Sequence, residues 1–165
     1  MAKDSSFDVV SKVDRQEVDN ALNQAKKEIQ QRFDFKGTGA AIEWTGELTI
    51  EITANAEDRC AAALEVFKEK CVKRSVSLKA VHAKPVKPTG GGGFKIEIDV
   101  SQGIDTDRGR QIVKRVKDEK LKGVQVAIQG DQLRVSGKNK DDLQQVIQLL
   151  KDEDFGIPLQ FVNYR

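Results

Sequence analysis

The chain has 165 residues, 38% hydrophobic and 33% charged, and its 28 Lys and Arg against 26 Asp and Glu leave a net charge of +2. That near balance excludes a global field drawing the protein onto polyanions, so any phosphate or nucleic-acid site must be local. The length fits one ordinary domain or two small ones, and no apolar run approaches the roughly 18 residues of a membrane span. The N-terminus "MAKDSSFDVV" has neither an apolar signal core nor a small-residue cleavage site, so a cytoplasmic protein without membrane partners is expected.

In chain order, "SFDVVSKV" reads as a strand and "DRQEVDNALNQAKKEIQQR" as a helix with a Val18, Ala21, Leu22, Ala25, Ile29 stripe. Asp14 with Glu17 resembles a capping box that fixes the helix start. "RFDFKG" and "AAIEW" follow as extended chain, "TGE" as a turn and "LTIEITA" as a strand. In an extended "RFDFKG", Phe33 and Phe35 share one side while Arg32, Asp34 and Lys36 share the other. "NAEDRCAAALEVFKEKCVKR" is the second helix, with Asn55 as its cap and Cys60, Ala63, Leu64, Phe67, Cys71 as its buried stripe. "SVSLKAVHA" closes this set as a strand. Cys60 and Cys71 lie about 16 Å apart along one helix at 1.5 Å per residue, beyond the roughly 7 Å Cα limit of a disulfide, so both read as reduced core thiols. His82 is the only histidine and lies far from both in sequence, so zinc has no ligand set; no metal and no cofactor are expected.

Beyond "KPVKPTGGGG" the same order recurs: strand "FKIEIDV", helix "DTDRGRQIVKRVKDEKLK", strand "VQVAIQ", turn "GD", strand "QLRVSG", helix "NKDDLQQVIQLLKDE" and strand "PLQFVNYR". Thr45, Gly46, Glu47 line up with Gln129, Gly130, Asp131, Asn55 with Asn139, and Cys60, Ala63, Leu64, Phe67 with Leu143, Val146, Ile147, Leu150. The fold class expected is α+β, with two ferredoxin-like βαββαβ halves from an internal duplication: residues 1–84, a Pro/Gly linker at 85–93, and residues 94–165. The glycine run is not a phosphate loop, because Phe94 and a strand follow it where a P-loop requires Gly-Lys-Ser/Thr opening a helix.

With both helices of a half on one sheet face, Phe33, Phe35, Leu48, Ile50, Ile52, Val76 and Leu78 point inward in the first half. In the second, Val124, Val126, Ile128, Leu133, Val135, Leu159 and Phe161 do so. Arg32, Asp34, Lys36, Thr49, Glu51 and Lys79, and then Gln125, Gln129, Arg134, Gln160 and Tyr164, occupy the uncovered faces. Such faces are either simply solvated or a binding platform. Aromatic content is only 5%, with Tyr164 and Trp44 as the residues able to stack, so phosphate contacts by cations and amides carry most of what these faces can offer. "RVSGKNKDDL" presents a second anion candidate, in which Gly137, Lys138 and Lys140 precede or open a helix, while Asn139, Asp141 and Asp142 compete as ordinary capping groups. The basic stripe Arg108, Arg110, Lys114, Arg115, Lys117 is equally a solvated helix face. No nucleophile has a histidine partner, no G-x-S-x-G or H-E-x-x-H occurs, and Asp152, Glu153, Asp154 cluster at a helix end without a pocket.

Taken together, "SFDVVSKVD", "RFDFKG", "IQGDQLRVSGKNKDDLQ" and "QFVNYR" resemble the YajQ family of small bacterial cytosolic proteins over nearly the whole chain. The resemblance implies that the two halves exchange first strands, Phe7 to Val13 completing the second half and Phe94 to Val100 the first. Periodicity does not show that exchange. The resemblance also implies nucleotide binding, with RNA and cyclic dinucleotides such as cyclic di-GMP among the ligand classes. Carried over by motif, Arg32, Asp34 and Lys36 match the charged strand of the family, Gln129, Gly130, Arg134, Gly137 and Lys138 the second-half block, and Asn163 and Arg165 the end. Tyr164 joins them as a stacking residue. The glycine linker and the Met1 to Ser5 extension depart from the family pattern. The function expected is non-enzymatic binding of a nucleotide or nucleic acid; the alternative is a protein-interaction module or transcriptional co-regulator using the same faces.

Overall fold

The computed structural model describes residues 4–165, so Met1 to Lys3 of the N-terminal extension lie outside the described residues. In chain order the elements are β1 (Ser5–Val10), α1 (Arg15–Gln31), β2 (Ala41–Trp44), β3 (Thr49–Ala54), α2 (Glu57–Lys73), β4 (Val81–Ala83), β5 (Lys87–Pro88), β6 (Phe94–Val100), α3 (Thr106–Asp118), β7 (Gln125–Gln129), β8 (Gln132–Gly137), α4 (Lys140–Asp152) and β9 (Gln160–Val162). They form an α+β protein with two antiparallel sheets, divided into two compact units. The middle unit is Val13–Ser101; the terminal unit joins the residues up to Lys12 with Gln102–Arg165.

The middle unit's sheet runs β2-β3-β6-β4, with β5 also paired to β6. Ile42, Ile52 and Ile96 lie side by side across three strands, and Ile50 faces Ile98. Alternation puts all five on one face, where they pack with the Val18, Ala21, Leu22, Ala25, Ile29 stripe of α1 and with Cys60, Ala63, Val66, Phe67 and Cys71 of α2. The opposite face carries Glu43, Glu51 and Glu97 in one row, with Lys95 reaching both Glu51 and Glu97. Pro85 to Gly93, expected as a linker, falls inside this unit: Lys87 and Pro88 pair with Lys95 and Phe94, and the Thr89 N–H donates to Gly93 O at 2.8 Å.

In the terminal unit the order is β7-β8-β1-β9. β1 pairs antiparallel with β8 and β9, and Phe7 and Val9 join Leu133 and Val135 beneath α3 and α4. The helices contribute Ile112 and Val116 from α3 and Leu143, Val146, Ile147 and Leu150 from α4.

Several local expectations are corrected. "RFDFKG" is not extended: the Arg32 N–H donates to Glu28 O, ending α1, and Phe33–Phe35 form a 3₁₀ turn. At three residues per turn, positions i and i+2 lie roughly 120° apart rather than on one side, so Phe35 is buried while Phe33 is exposed. Gly37 and Gly39, both at positive φ, turn the chain again at once. "SVSLKAVHA" likewise becomes a 3₁₀ turn at Leu78–Ala80 before a short β4, which leaves Leu78 exposed. Ile128, expected in the core, is 44% exposed because β7 is an edge strand. Leu64 is half-buried and Val66 takes its place in the buried stripe. Asp14 caps α1 as expected, accepting from the Gln16 N–H, but Glu17 is drawn away to the Arg74 guanidinium. Asn55 does not cap α2; its Nδ2 donates to Gly37 O and the N-cap is Ala56.

Candidate functional site

The predicted site residues fall into five places. On the terminal sheet, Asp8 and Arg134 face each other in register on β1 and β8. Arg134 Nε donates to Asp8 Oδ1 at 2.9 Å and Asn163 Nδ2 donates to Asp8 Oδ2 at 2.8 Å. The Asp8 side chain is fully buried while the Arg134 side chain is partly exposed. Hydrogen bonding from Arg134 holds the Asp8 carboxyl below its usual range despite burial, with Asn163 acting in the same sense. Asn163 adopts φ 56°, a left-handed conformation that asparagine tolerates better than most residues. Past it the backbone resumes pairing, the Arg165 N–H donating to Ser6 O at 2.9 Å.

That kink carries Tyr164 and Arg165 to a cleft of about 380 Å³ between the start of β1 and α4. Buried Phe7, Leu143 and Ile147 form its apolar wall, and Ser5, Ser6, Lys140, Gln144, Tyr164 and Arg165 line its more exposed parts. Tyr164 is 61% exposed, its ring centroid 6.2 Å from that of Phe7. The volume falls in the range of small-ligand pockets, roughly 300–1,000 Å³. An apolar wall, an accessible ring and two cations meet here.

The "RVSGKNKDDL" segment borders this cleft and behaves as capping sequence. Asn139 accepts from the Asp141 N–H, so one helix-end donor is taken. Gly137 serves packing: a Cβ there would lie 3.2 Å from Gly123 O and 3.4 Å from Leu143 Cδ2. Lys138 is exposed, as are Gln129 and Gly130 at the β7–β8 hairpin, where Gly130 has φ 65°. The structure does not bring Gln129 or Gly130 to the cleft lining.

Arg32, Asp34 and Lys36 are in the middle unit, on the 3₁₀ turn rather than on a sheet face. Arg32 grips Asp34 through two hydrogen bonds, Nε to Oδ1 at 3.0 Å and Nη2 to Oδ2 at 2.8 Å. Arg59, absent from the sequence-derived set, donates from Nη1 to both the carboxylate and the backbone oxygen of Asp34. Hydrogen bonding from Arg32 pulls the Asp34 carboxyl below its ordinary value. Asp8 and Arg59 are the residues that sequence reasoning missed. For Asp8 a signal existed, an acid in the apolar run "FDVV"; Arg59 stands in a charged first helical turn and gave none. Among the described residues no group of three or more His, Cys, Asp or Glu could hold a metal ion, and no helix is long and apolar enough to cross a membrane.

A family profile described as nucleotide-binding protein YajQ-like matches residues 5–165. A protein of Nocardia farcinica named nucleotide-binding protein is 63% identical over 163 residues, 98% of this chain and 99% of that protein. One of the same name from Rhodococcus opacus is 60% identical over 98% of this chain and 99% of its own length, and one from Thermobifida fusca is 53% identical over the full length of both. On this similarity, end to end, the chain belongs to the YajQ-like nucleotide-binding protein family.

Proposed function

We propose that this protein binds a nucleotide without turning it over, and that the nucleotide sits in the terminal-unit cleft. One observation carries the reading: the convergence of the Phe7, Leu143, Ile147 wall, the exposed Tyr164 ring and the Lys140 and Arg165 cations around one cavity. A base has an apolar slot and a ring to stack against, and phosphate oxygens have an ammonium and a guanidinium within the same lining. Arg134 and Asn163 act behind the cleft, since their shared hold on Asp8 fixes the chain that presents Tyr164 and Arg165. Binding rather than catalysis is supported by the relatives, which are named nucleotide-binding proteins. Nucleoside phosphates, cyclic dinucleotides and RNA ends all present the required base and phosphate.

The fold is read in the same spirit as two ferredoxin-like halves of a duplication with first strands exchanged. What supports this is the pairing of β1 with β8 and β9, and of β6 with β3 and β4, which gives both sheets the same sequence of strand types.

Calorimetry with nucleoside mono- and triphosphates and cyclic di-GMP, at low and high salt, tests the function. The expected result is binding that weakens with salt and is reduced in Arg165→Gln. Silence from every ligand at low salt rejects it.

A further inference from the structure

The middle unit displays a ring that the cleft does not use. Phe33 is 84% exposed, more than any other large hydrophobic residue described. It stands on a turn anchored from below. Phe35, two residues on, is buried, and the guanidinium groups of Arg32 and Arg59 lie 5.0 and 5.8 Å from its ring centroid. Asp34 accepts hydrogen bonds from both arginines, so the turn is pinned by the core and by a carboxylate bridge. Lys36 Nζ lies 5.6 Å from the Phe33 ring centroid, and among the described residues Lys36 makes no ion pair. The outward ring is therefore held on a fixed base beside the Lys36 ammonium, while Arg32 and Arg59 are paired with Asp34 and also with Glu28 and Asp58.

We propose that this turn is a stacking site for an unpaired nucleobase of a single-stranded nucleic acid, Phe33 giving the platform and Lys36 meeting the adjacent phosphate. It is a second site, on a different unit from the cleft, and rests on the nucleotide-binding reading only for the class of ligand. The surroundings of the ring favour a base over a protein partner. Protein hot spots are ringed by contacts that exclude water, whereas among the described residues the Phe33 ring meets an ammonium group, and its sequence neighbours are charged. Aromatic rings interleaved with cations are the arrangement that tracks a single strand, since every base has a π-face and every step a phosphate.

Fluorescence anisotropy with one labelled short oligonucleotide, as single-stranded RNA, single-stranded DNA and the corresponding duplex, tests the site. Single strands should bind at low salt, and the duplex, whose bases are already stacked, more weakly. Phe33→Ala should weaken single-strand binding roughly 5- to 100-fold, and Phe33→Trp should restore it. Lys36→Gln should lower the salt dependence by about one phosphate contact. RNA and DNA binding alike marks the base as the recognised element; RNA alone adds the ribose hydroxyl to the same site. Unchanged affinity in Phe33→Ala overturns the proposal and leaves the ring to a protein contact, and so does failure of the native protein to bind single strands. Mononucleotide binding, measured in parallel, separates the two sites. If it is absent while Phe33-dependent strand binding persists, the cleft reading falls and this one stands. If Phe33→Ala abolishes both with an unchanged thermal midpoint, the idea of a separate site falls.

Discussion

Arg134 on β8 and Asp8 on β1 are cross-strand neighbours, and the guanidinium Nε meets the buried carboxylate at 2.9 Å. Removing the carboxylate strands an arginine and the Asn163 amide, so Asp8→Ala should destabilise the protein by about 1–3 kcal/mol near neutral pH. The Asp8 carboxyl is held below its usual value by Arg134, so its contribution is present above the unfolded pKa of about 3.9 and is lost as pH falls through the lower folded value. Urea unfolding of native protein and variant, at neutral pH and again in acid, should show the gap between them closing in acid. An identical gap at both pH values would mean that the charged pair is not what Asp8 contributes.

The 3₁₀ turn separates two phenylalanines that a strand would have placed together. Phe35→Ala should cost about 3–5 kcal/mol, as for other buried aromatic truncations, while Phe33→Ala should stay within about 0.5 kcal/mol. Trp44, the only tryptophan, packs against the core of the same unit and reports its unfolding by fluorescence. Equal losses at the two positions would restore the extended reading of this stretch.

These two cases show what the sequence made legible. The α1 stripe, the β3 and β6 alternation and the Asp14 and Asn139 caps were readable because each depends on neighbours within one or two turns of chain. "RFDFKG" misled because its alternation lasts only five residues, and the glycines at 37 and 39 that end any extended run lie just past it. Asn55 failed as a cap because Gly37 O and Thr38 O, distant in sequence, claim its side chain and backbone N–H. The candidate cleft was half visible: Tyr164 and Lys140 were named from their chemistry, and Arg165 from the resemblance of the C-terminal motif. That they meet over Phe7 depends on β1 lying beside β8 and β9, which no local pattern encodes.

Both cysteines belong to the buried α2 stripe, and burial pushes the Cys71 thiol up to about 12 and the Cys60 thiol in the same direction. While it stays buried, Cys71 remains almost wholly protonated at mildly alkaline pH and is out of reach of a reagent. A disulfide reagent should therefore leave both unmodified in the native protein and release two equivalents on denaturation. Rapid native labelling would show that α2 opens far more readily than its packing implies.

Base and phosphate contributions to the cleft can be separated because different residues carry them. Tyr164→Ala removes the ring but leaves Lys140 and Arg165, so nucleotide affinity should fall roughly 5- to 100-fold, toward that of a ribose phosphate lacking a base. Arg165→Gln should weaken the nucleotide and the base-free ribose phosphate by similar factors, because it acts on the phosphate they share. In the double variant the two losses should add, since ring and guanidinium address opposite ends of the ligand. If instead Tyr164→Ala leaves the gap between nucleotide and ribose phosphate intact, the base does not lie against Tyr164, and the cleft binds phosphate alone.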